Sequence, residues 1–431
     1  MKKSVLMILA LSMVVLLAAC GTSNNAGKAS ESKTNSDKTT IIITNGKGEM
    51  AAQWEQAAKD FMVANPDIIV EAHTQAVGDT LSIFDKLTAS GKNVTLAMVA
   101  PDTVNGKYKD FGVDLSGEAW IAETDNAFSN EEGLVVGFPF SIEGLGLVYN
   151  KTVVEKAIGS EFDPFSINTR DKLIALLDKI KASGIEYPVA FQTEGWSIAN
   201  HFSTQFLNQN DDPSHTVSQI KAGELKLADD TTWNGYYDTL DVLLSKDYNK
   251  YGERPLGIYY DDAHVSVGNG TSAMLFNGNW AYDSLQAVTS EEFGLIPVPV
   301  DNDPENPLNN KIVAGPSNIL VINKKSTVKE QEAAKKFLDW IVFDKAGQDF
   351  LVNKSQIISA FKNNPNKVAN PLGVAIAAAV EQGKTTNFAL NYTSAEDWGN
   401  KLAPEIQKYI AHKLTRSELA TFIENYFKSI K

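Results

Sequence analysis

A tryptophan that follows a polar turn is the residue of this sequence best placed for binding chemistry. An apolar run from Ala273 to Phe276 is followed by Asn-Gly-Asn and then by Trp280. Asn-Gly is a turn dipeptide, so the pattern predicts a short buried strand that ends in a loop carrying the indole. In open α/β sheets, ligands bind where strands end and helices begin. We therefore predict that Trp280 contacts a ligand, and the alternative is an aromatic residue of the core.

Polar or aromatic side chains follow three other predicted strands in the same way. These strands cover residues 40–44, 94–99 and 188–191. A carboxylate in such a place accepts hydrogen bonds from two adjacent hydroxyl groups, and an amide offers both donors and an acceptor. The ligand contacts that we predict at these strand ends are Asn45, Glu49, Asp102, Gln192, Glu194 and Trp196. For Asp102, the cap of a helix is an equal alternative.

Three residues outside these strand ends also need an interpretation. Glu143 stands within an apolar segment, where a carboxylate needs a partner, so we predict it as a ligand contact. Tyr259 precedes a short predicted helix and is also predicted to lie near the ligand. Trp54 falls on the apolar face of a helix predicted over residues 53–64, which favours packing in the core.

The elements that must position these residues alternate between strand and helix. Strands over 40–44 and 68–72 flank the helix over 53–64, and helices over 169–183 and 329–343 also show apolar residues at helical spacing. Such alternation is typical of α/β proteins. Because 431 residues exceed what one hydrophobic core supports, the chain is expected to form two domains.

Composition and charge exclude several classes of protein. A hydrophobic content of 43% with 21% charged residues is typical of a globular protein, and the net charge of −14 argues against nucleic-acid partners. The single cysteine excludes an intramolecular disulfide and a cysteine-based metal site. The five histidines form no HExxH motif, and residues 301–310 lack the spacing of an EF-hand loop. We predict no metal and no cofactor.

The first forty residues resemble an export signal with a lipid-attachment site. Two lysines precede an apolar stretch over residues 5–19, which is too short for a comfortable transmembrane helix. The stretch ends in Leu-Ala-Ala-Cys-Gly, which resembles a bacterial lipobox, so Cys20 is predicted to carry a lipid after removal of residues 1–19. The polar residues 20–39 predict a flexible tether. The alternative is an ordinary signal peptide with an incidental cysteine.

Two segments resemble the maltose-binding-protein-like proteins of bacterial ABC importers, which form family 1 of the extracellular solute-binding proteins. Residues 277–281, Asn-Gly-Asn-Trp-Ala, resemble the family's Asn-Gly-Pro-Trp-Ala, with Asn279 in place of proline. Residues 137–151 contain a proline, an acidic residue and an apolar strand that ends in Tyr-Asn-Lys, as is common in the family. The resemblance implies an α/β, two-lobed periplasmic-binding-protein-like fold of class II, with lobes connected by a hinge.

The resemblance also implies where the two lobes begin and end. Lobe 1 is predicted over residues 40–142 and 315–345, and lobe 2 over residues 143–314 and 346–431. The chain would cross between the lobes near Gly144, where glycine would supply the backbone freedom of a hinge.

For function, the resemblance implies a lipid-anchored extracellular binding protein rather than an enzyme. The protein would capture a sugar or oligosaccharide, such as a maltooligosaccharide, and deliver it to the permease subunits of an ABC importer. By resemblance, an aromatic residue in the C-terminal region closes the cleft, which adds Trp398 to the predicted contacts. The expected state is a monomer on the outer face of a bacterial cell membrane, of Gram-positive type.

Two other functions stay open on the sequence alone. The same fold can bind a non-sugar ligand such as a polyamine, which the negative charge would favour. A surface glycoside hydrolase would need two carboxyl groups that flank one bond, and acidic residues are numerous, although no hydrolase signature is present. The tryptophan candidates favour a sugar, because the C–H face of a sugar ring packs on flat aromatic side chains.

Overall fold

The structure is a computed structural model, which describes residues 38–74, 80–104, 108–130, 132–252, 257–289, 292–393 and 395–430. The predicted signal peptide, Cys20 and nearly all of the predicted tether lie outside these residues, as does the side chain of Asp102. Within the described ranges, no helix has both the length and the apolar composition that crossing a bilayer requires.

Strands and helices alternate along the first lobe, and helices prevail in the second. The strands are β1 Thr39–Asn45, β2 Ile68–Thr74, β3 Leu96–Val99, β4 Phe128–Ser129, β5 Val135–Asn150, β6 Met274–Gly278, β7 Phe293–Ile296, β8 Ile312–Ile322 and β9 Thr385–Thr386. The helices are α1 Ala51–Ala64, α2 Thr80–Ala89, α3 Lys151–Ile158, α4 Arg170–Ala182, α5 Pro213–Ala222, α6 Thr231–Leu244, α7 Tyr260–Gly268, α8 Ala281–Gln286, α9 Val328–Phe343, α10 Lys345–Asp349, α11 Pro371–Glu381, α12 Ala395–Ile410 and α13 Arg416–Ser429.

The amino-terminal β1–α1–β2 unit follows from its residue pattern. β1 carries β-branched residues and pairs in parallel with β2. The buried residues of α1 recur at the spacing of one helix face: Trp54, Ala57, Ala58 and Phe61. Trp54 is fully buried, and its ring centroid lies 5.2 Å from that of Phe140 on β5. Its predicted place in the core is confirmed.

The strands form a mixed sheet in the order β2-β1-β3-β8-β5-β4. β1 pairs in parallel with β2 and β3, whereas β8 pairs antiparallel with β3 and β5. β6 and β7 pair antiparallel with the second half of β5, between Leu145 and Asn150. β5 therefore continues from the first-lobe part of the sheet into the second-lobe part.

Alternate residues of the first-lobe strands enter two cores on opposite faces of the sheet. Leu96 and Met98 of β3 join the core formed with α1 and α9. Ala97 and Val99 join the core that includes Phe84 of α2. Because successive side chains of a strand point to opposite faces, a strand covered on both sides is a continuous apolar run in the sequence.

The second lobe has its own core, and β5 passes from one core to the other. Phe138 and Phe140 pack in the first-lobe core, whereas Leu145 and Leu147 pack in the second. The crossover lies between these two pairs, at the segment where the sequence predicts the hinge. The predicted α/β fold with two hinge-connected lobes is confirmed.

Hydrophobic contacts extend the first lobe beyond its predicted end at residue 345. Phe350, Leu351 and Phe361 are buried in the core that contains α1 and α9. We therefore propose that the last part of lobe 2 begins after residue 361 rather than at 346, because the apolar side chains before that point belong to the first-lobe core.

The glycines of the crossover have a structural reason other than backbone freedom. A Cβ atom on Gly146 would lie 2.6 Å from the carbonyl oxygen of Ile296, and one on Gly144 would lie 3.0 Å from that of Val313. Neither glycine is among the residues with positive φ. Glycine is required at these positions because β7 and β8 approach closely, and at Gly144 the side chain of Ile376 on α11 lies closer still, 2.8 Å from the Cβ position.

Candidate functional site

The loop between β6 and α8 places Trp280 beside the crossover strand. β6 ends at Gly278, as the Asn-Gly turn predicts, and Trp280 immediately precedes α8. The indole is partly exposed, and its ring centroid lies 5.2 Å from that of His201 and 6.4 Å from that of Trp196. These three rings of the second lobe form one aromatic cluster.

Asn279 fastens this loop to β5. Its backbone N–H donates to the carbonyl oxygen of Gly144 at 3.2 Å, and its side-chain Oδ1 accepts from the N–H of Gly144 at 3.0 Å. Proline, which occupies this place in the resembling family segment, has neither an N–H nor a side-chain acceptor. The departure from the family pattern therefore adds two buried hydrogen bonds that hold the loop carrying Trp280.

Lys47, in the loop between β1 and α1, reaches the same place from the first lobe. Its Nζ is hydrogen-bonded to Glu143 Oε1 and lies 3.3 Å from Glu49 Oε1. The ammonium is also 6.0 Å from the centroid of the Trp280 ring. Only 11% of the Lys47 side chain and 7% of the Glu143 side chain are exposed. The partner that Glu143 needs among its apolar neighbours is therefore Lys47.

The charges in this cluster are held in defined states. Burial lowers the pKa of Lys47, but the carboxylates of Glu143 and Glu49 outweigh burial and raise that pKa above its ordinary value. Burial, and then the positive charge of Lys47, lower the pKa of His201 to about 3. At neutral pH the lysine is therefore charged and the histidine is neutral.

Asn45 holds the β1–α1 loop that carries Lys47. Its side-chain Nδ2 donates to the carbonyl oxygen of Lys47 at 2.8 Å and to Thr74 Oγ1 at 3.2 Å. Its Oδ1 accepts from the N–H of Lys47 at 3.0 Å, which closes an Asx turn. Because Asn45 is fully buried and both its donors are used, its observed role is to position Lys47.

Gln192 and Glu194 are among the residues near the aromatic cluster with a buried polar atom that lacks a hydrogen-bond partner in the described part of the chain. Gln192 is fully buried; its Oε1 accepts from Asn277 Nδ2 at 3.3 Å, whereas its Nε2 has no partner. Glu194 Oε1 accepts from the N–H of Tyr260 at 2.7 Å, whereas its Oε2 has no partner. Leaving a buried polar atom without a hydrogen bond costs ~1–3 kcal/mol of stability. These atoms are therefore candidates for hydrogen bonds to a ligand.

His264 links Gln192 and Asn277 to helix α7. Its Nδ1 lies 2.6 Å from the carbonyl oxygen of Tyr260, and its Nε2 lies 3.1 Å from Asn277 Nδ2. The neighbours assign the tautomer: Nδ1 carries the proton and donates to the carbonyl, and Nε2 accepts from the amide. Burial lowers the pKa of His264 to about 4, although the Tyr260 carbonyl and the charge of Asp261 oppose it.

The helix after Glu194 has an unusual geometry that brings two aromatic rings together. Residues Trp196–His201 form a π-helix, and Phe202–Asn210 continue as a 3₁₀-helix. In a π-helix, residues five apart are neighbours on one face. The ring centroids of Trp196 and His201 are accordingly 5.3 Å apart.

Helix α7 presents Tyr260, rather than the predicted Tyr259, to the cluster. Tyr259 is 66% exposed at the start of the helix. The ring centroid of Tyr260 lies 5.9 Å from that of Trp196 and 3.9 Å from that of His264. Tyr260 and His264 are four residues apart, so they lie on the same face of α7. This spacing in the sequence distinguishes Tyr260 from Tyr259.

Trp398, the predicted cleft-closing aromatic residue, lies in the core of the second lobe. It is fully buried, and its Nε1–H donates to the carbonyl oxygen of Ala199 at 2.7 Å. Its ring centroid lies 5.0 Å from that of Tyr426 and 5.1 Å from that of Phe427 on α13. The indole is a core residue because its one polar group has a backbone partner inside the lobe.

Lys47 and His201 are not among the contacts that the sequence predicts. Lys47 lies between two predicted contacts, Asn45 and Glu49, so its position in that loop was a usable signal. His201 follows Trp196 by five residues, a spacing that the 3.6-residue period of an α-helix does not bring together. Within the described ranges, no group of His, Cys, Asp and Glu is suited to holding a metal ion.

The chain has relatives among known sequences and structures. A sequence model of the bacterial extracellular solute-binding protein family matches residues 56–371. No curated protein matches the chain by sequence. A solved family 1 extracellular solute-binding protein from Bifidobacterium longum subsp. infantis is 20% identical, with 91% of this chain and 100% of that chain covered and a TM-score of 0.67.

Two further solved structures are similar along nearly their whole length. A chitin oligosaccharide binding protein is 18% identical, with 91% of this chain and 98% of that chain covered and a TM-score of 0.73. A sugar transporter protein from Bacillus licheniformis, solved in complex with stachyose, is 16% identical, with coverages of 90% and 100% and a TM-score of 0.69. At these identities the structures establish the fold, whereas the family model matches more than half of the sequence. The chain belongs to the bacterial extracellular solute-binding protein family.

Proposed function

We propose that the protein binds a sugar or oligosaccharide between its two lobes. The observation that carries this proposal is the grouping of partly exposed aromatic rings with unpaired polar atoms beside the crossover. Trp280 and Trp196 offer flat apolar surfaces. Glu194 Oε2 offers an acceptor, and Gln192 Nε2 offers a donor.

The chemistry of a sugar fits both kinds of group. A sugar ring has an apolar face of C–H groups, which packs on an indole, and a rim of hydroxyl groups, which hydrogen-bond to carboxylates and amides. A site built in this way rejects compounds without hydroxyl groups, because its own buried polar atoms then stay unpaired.

The names of similar structures support the same class of ligand. One of them is a chitin oligosaccharide binding protein, and another holds stachyose. A maltooligosaccharide is one member of this class.

We further propose that the protein is a monomeric lipoprotein that serves an ABC importer. Cys20 would carry the lipid on the extracellular face of a bacterial membrane of Gram-positive type, and the loaded protein would deliver its ligand to the permease. The lipobox-like segment and the polar residues after it support the anchor. Asp102, Glu49 and Glu143 stay proposed contacts of the ligand.

The test is a thermal-shift screen of the purified protein against mono- and oligosaccharides, amino acids and polyamines, followed by calorimetry of the hits. A ligand at 100 times its dissociation constant stabilises the folded state by about 2.7 kcal/mol. We expect stabilisation by one class of saccharide. Stabilisation by polyamines alone would replace the sugar with a cationic ligand, and no stabilisation by any saccharide would contradict the proposal.

Two variants connect the ligand to the site. Trp280→Ala should raise the dissociation constant for the saccharide at least about tenfold, because stacking and water exclusion on the indole are lost. Phe343→Ala is the matched control, since it truncates an aromatic side chain that is 47% exposed on α9 of the first lobe. Equal affinities of the two variants would place the ligand elsewhere.

A further inference from the structure

We propose that Lys47 is a specificity-determining residue that closes the binding site to cationic ligands. The inference rests on the proposed function, because it states how a site for neutral, hydroxyl-rich ligands rejects polyamines and amino sugars. A cation would otherwise be favoured here, since the carboxylates of Glu49 and Glu143 lie beside this ammonium and that of Glu194 accepts from the N–H of Tyr260, next to Trp196.

The surroundings of the Lys47 ammonium are those that a bound ammonium ligand would need. Its Nζ is hydrogen-bonded to Glu143, lies 3.3 Å from Glu49 and is 6.0 Å from the centroid of the Trp280 ring. Carboxylates and the face of an indole are the groups that hold an ammonium ion in proteins. The side chain of Lys47 therefore takes the place that the charged group of a cationic ligand would occupy.

Burial and charge keep the Lys47 ammonium protonated and beside these carboxylates near neutral pH. The side chains of Lys47 and Glu143 are 11% and 7% exposed, so water screens the pair weakly. The two carboxylates raise the pKa of Lys47 in spite of burial, so the ammonium keeps its proton. Asn45 also restrains the loop, because its side chain hydrogen-bonds both the N–H and the carbonyl oxygen of Lys47.

A second cation in the site would meet repulsion that a neutral ligand does not meet. It would lie close to the Lys47 ammonium in a place of low dielectric, and the two nearest carboxylates would already be paired. A saccharide brings no net charge, so it keeps its stacking on Trp280 and its hydrogen bonds. Discrimination of this kind, through an element that repels the competitor, is a general route to specificity.

The experiment removes the charge of Lys47 and keeps its size. Lys47→Met is titrated with spermidine and putrescine by calorimetry at 150 mM salt, beside the wild type and Lys47→Arg, which retains the charge. We expect no measurable binding of either amine to the wild type or to Lys47→Arg. Lys47→Met should bind spermidine at least about tenfold more tightly than the wild type, and adding Glu143→Gln to it should abolish the gain.

A second variant keeps the test decisive if Lys47→Met does not fold. Lys47→Gln retains an N–H donor for Glu143 without the charge, and we expect the same gain in spermidine affinity. A folded neutral variant that binds amines no better than the wild type, or a wild type that itself binds spermidine, would overturn the inference.

The outcome separates the inference from the proposed function. If the wild type binds a saccharide and the neutral variants gain no amine affinity, the inference about Lys47 fails alone. If the wild type binds no saccharide in the screen, the proposed function fails, whatever the variants do with amines.

Discussion

Trp280 and Trp398, two tryptophans of the second lobe, differ in burial and in hydrogen bonding, and these differences indicate different roles. Trp280 is partly exposed and lies next to His201 and the Lys47 ammonium. Trp398 is fully buried, with its indole N–H bonded to a backbone carbonyl. We therefore propose that Trp280 contributes to ligand affinity, whereas Trp398 contributes to the free energy of unfolding.

Trp398→Ala should therefore destabilise the protein without weakening the site. We expect a loss of about 3–5 kcal/mol in the free energy of unfolding, because a large cavity opens between α12 and α13 and a carbonyl loses its donor. Urea denaturation measures the loss, and calorimetry measures the saccharide affinity of the folded fraction. Trp398→Phe, which keeps most of the ring volume, should lose clearly less stability. A variant with normal stability and weakened affinity would return Trp398 to the binding site.

His264 makes the stability of the second lobe depend on pH. Its pKa is about 4 in the folded protein against the ordinary 6.5. Between these values the unfolded chain binds more protons, so the free energy of unfolding falls as pH falls. The contribution is fully present above pH 6.5 and declines toward pH 4, and at pH 4.5 the loss is roughly 2–3 kcal/mol. Burial of His201 acts in the same direction.

A variant isolates the contribution of His264. His264→Gln has no group that titrates in this window, so its free energy of unfolding should fall less than that of the wild type between pH 7.5 and pH 4.5. Urea denaturation at the two pH values measures the difference. His215→Gln is the control, because His215 is exposed on α5, and it should follow the wild type. An unchanged pH dependence in His264→Gln would contradict the assigned neutral state.

At the scale of elements, the loop between β6 and α8 depends on one side chain. Asn279→Ala leaves the buried N–H of Gly144 without its acceptor, which should lower the free energy of unfolding by about 1–3 kcal/mol. The same change should weaken saccharide binding, because the loop that presents Trp280 loses its tie to β5. Denaturation and calorimetry measure the two effects on the same variant.

Two more substitutions at position 279 separate the hydrogen bonds. Asn279→Asp keeps the Oδ1 acceptor and, at a pH low enough to protonate its new buried carboxyl group, should stay closer to the wild type than Asn279→Ala, whereas Asn279→Pro removes the backbone donor as well and should lose most. If alanine and aspartate gave equal stability and affinity, the side-chain bond to Gly144 would have no role in positioning Trp280.

The elements that the sequence predicts well are those with a regular period. The helix over 53–64 and the strand end before Trp280 lie where apolar spacing and the Asn-Gly turn put them. The π-helix at Trp196–His201 is different, because its i→i+5 hydrogen bonding does not follow the 3.6-residue period by which a helix is predicted. A 3.6-residue period therefore does not predict that Trp196 and His201 are neighbours.

The proposed binding site combines residues that a local sequence pattern predicts with residues that only tertiary contacts bring together. Strand ends predicted Trp280 and, separately, Gln192, Glu194 and Trp196, and the structure brings these two groups together near the crossover. The partner of Glu143 comes from a loop almost a hundred positions earlier, a contact that only the folded sheet creates. Trp398 failed as a prediction because its sequence context does not distinguish a helix face that points into a lobe from one that points out.

At the scale of the whole molecule, the two lobes have separate cores and meet near the ion pair of Lys47 and Glu143. β5 passes from the first core to the second, so a bend at its crossover changes the distance between the lobes without opening either core. Lys47 and Trp280 approach each other from different lobes at this place. A ligand held by both lobes would favour the closed arrangement by the contacts that it makes only there.

The position of the whole protein in the cell should depend on Cys20. Residues 20–38 reach at most ~60 Å when extended, so a lipid on Cys20 would keep both lobes within a molecular diameter or two of the membrane. We expect Cys20→Ser, expressed in a bacterium that processes lipoproteins, to move from the detergent phase to the aqueous phase in detergent partitioning and to lose labelling by a fatty-acid analogue. Ser23→Ala, a change of similar size just after the lipobox-like segment, should keep both properties. Partitioning of Cys20→Ser into detergent like the wild type would contradict the lipid anchor, whereas its saccharide affinity should equal that of the wild type because the site lies in the lobes.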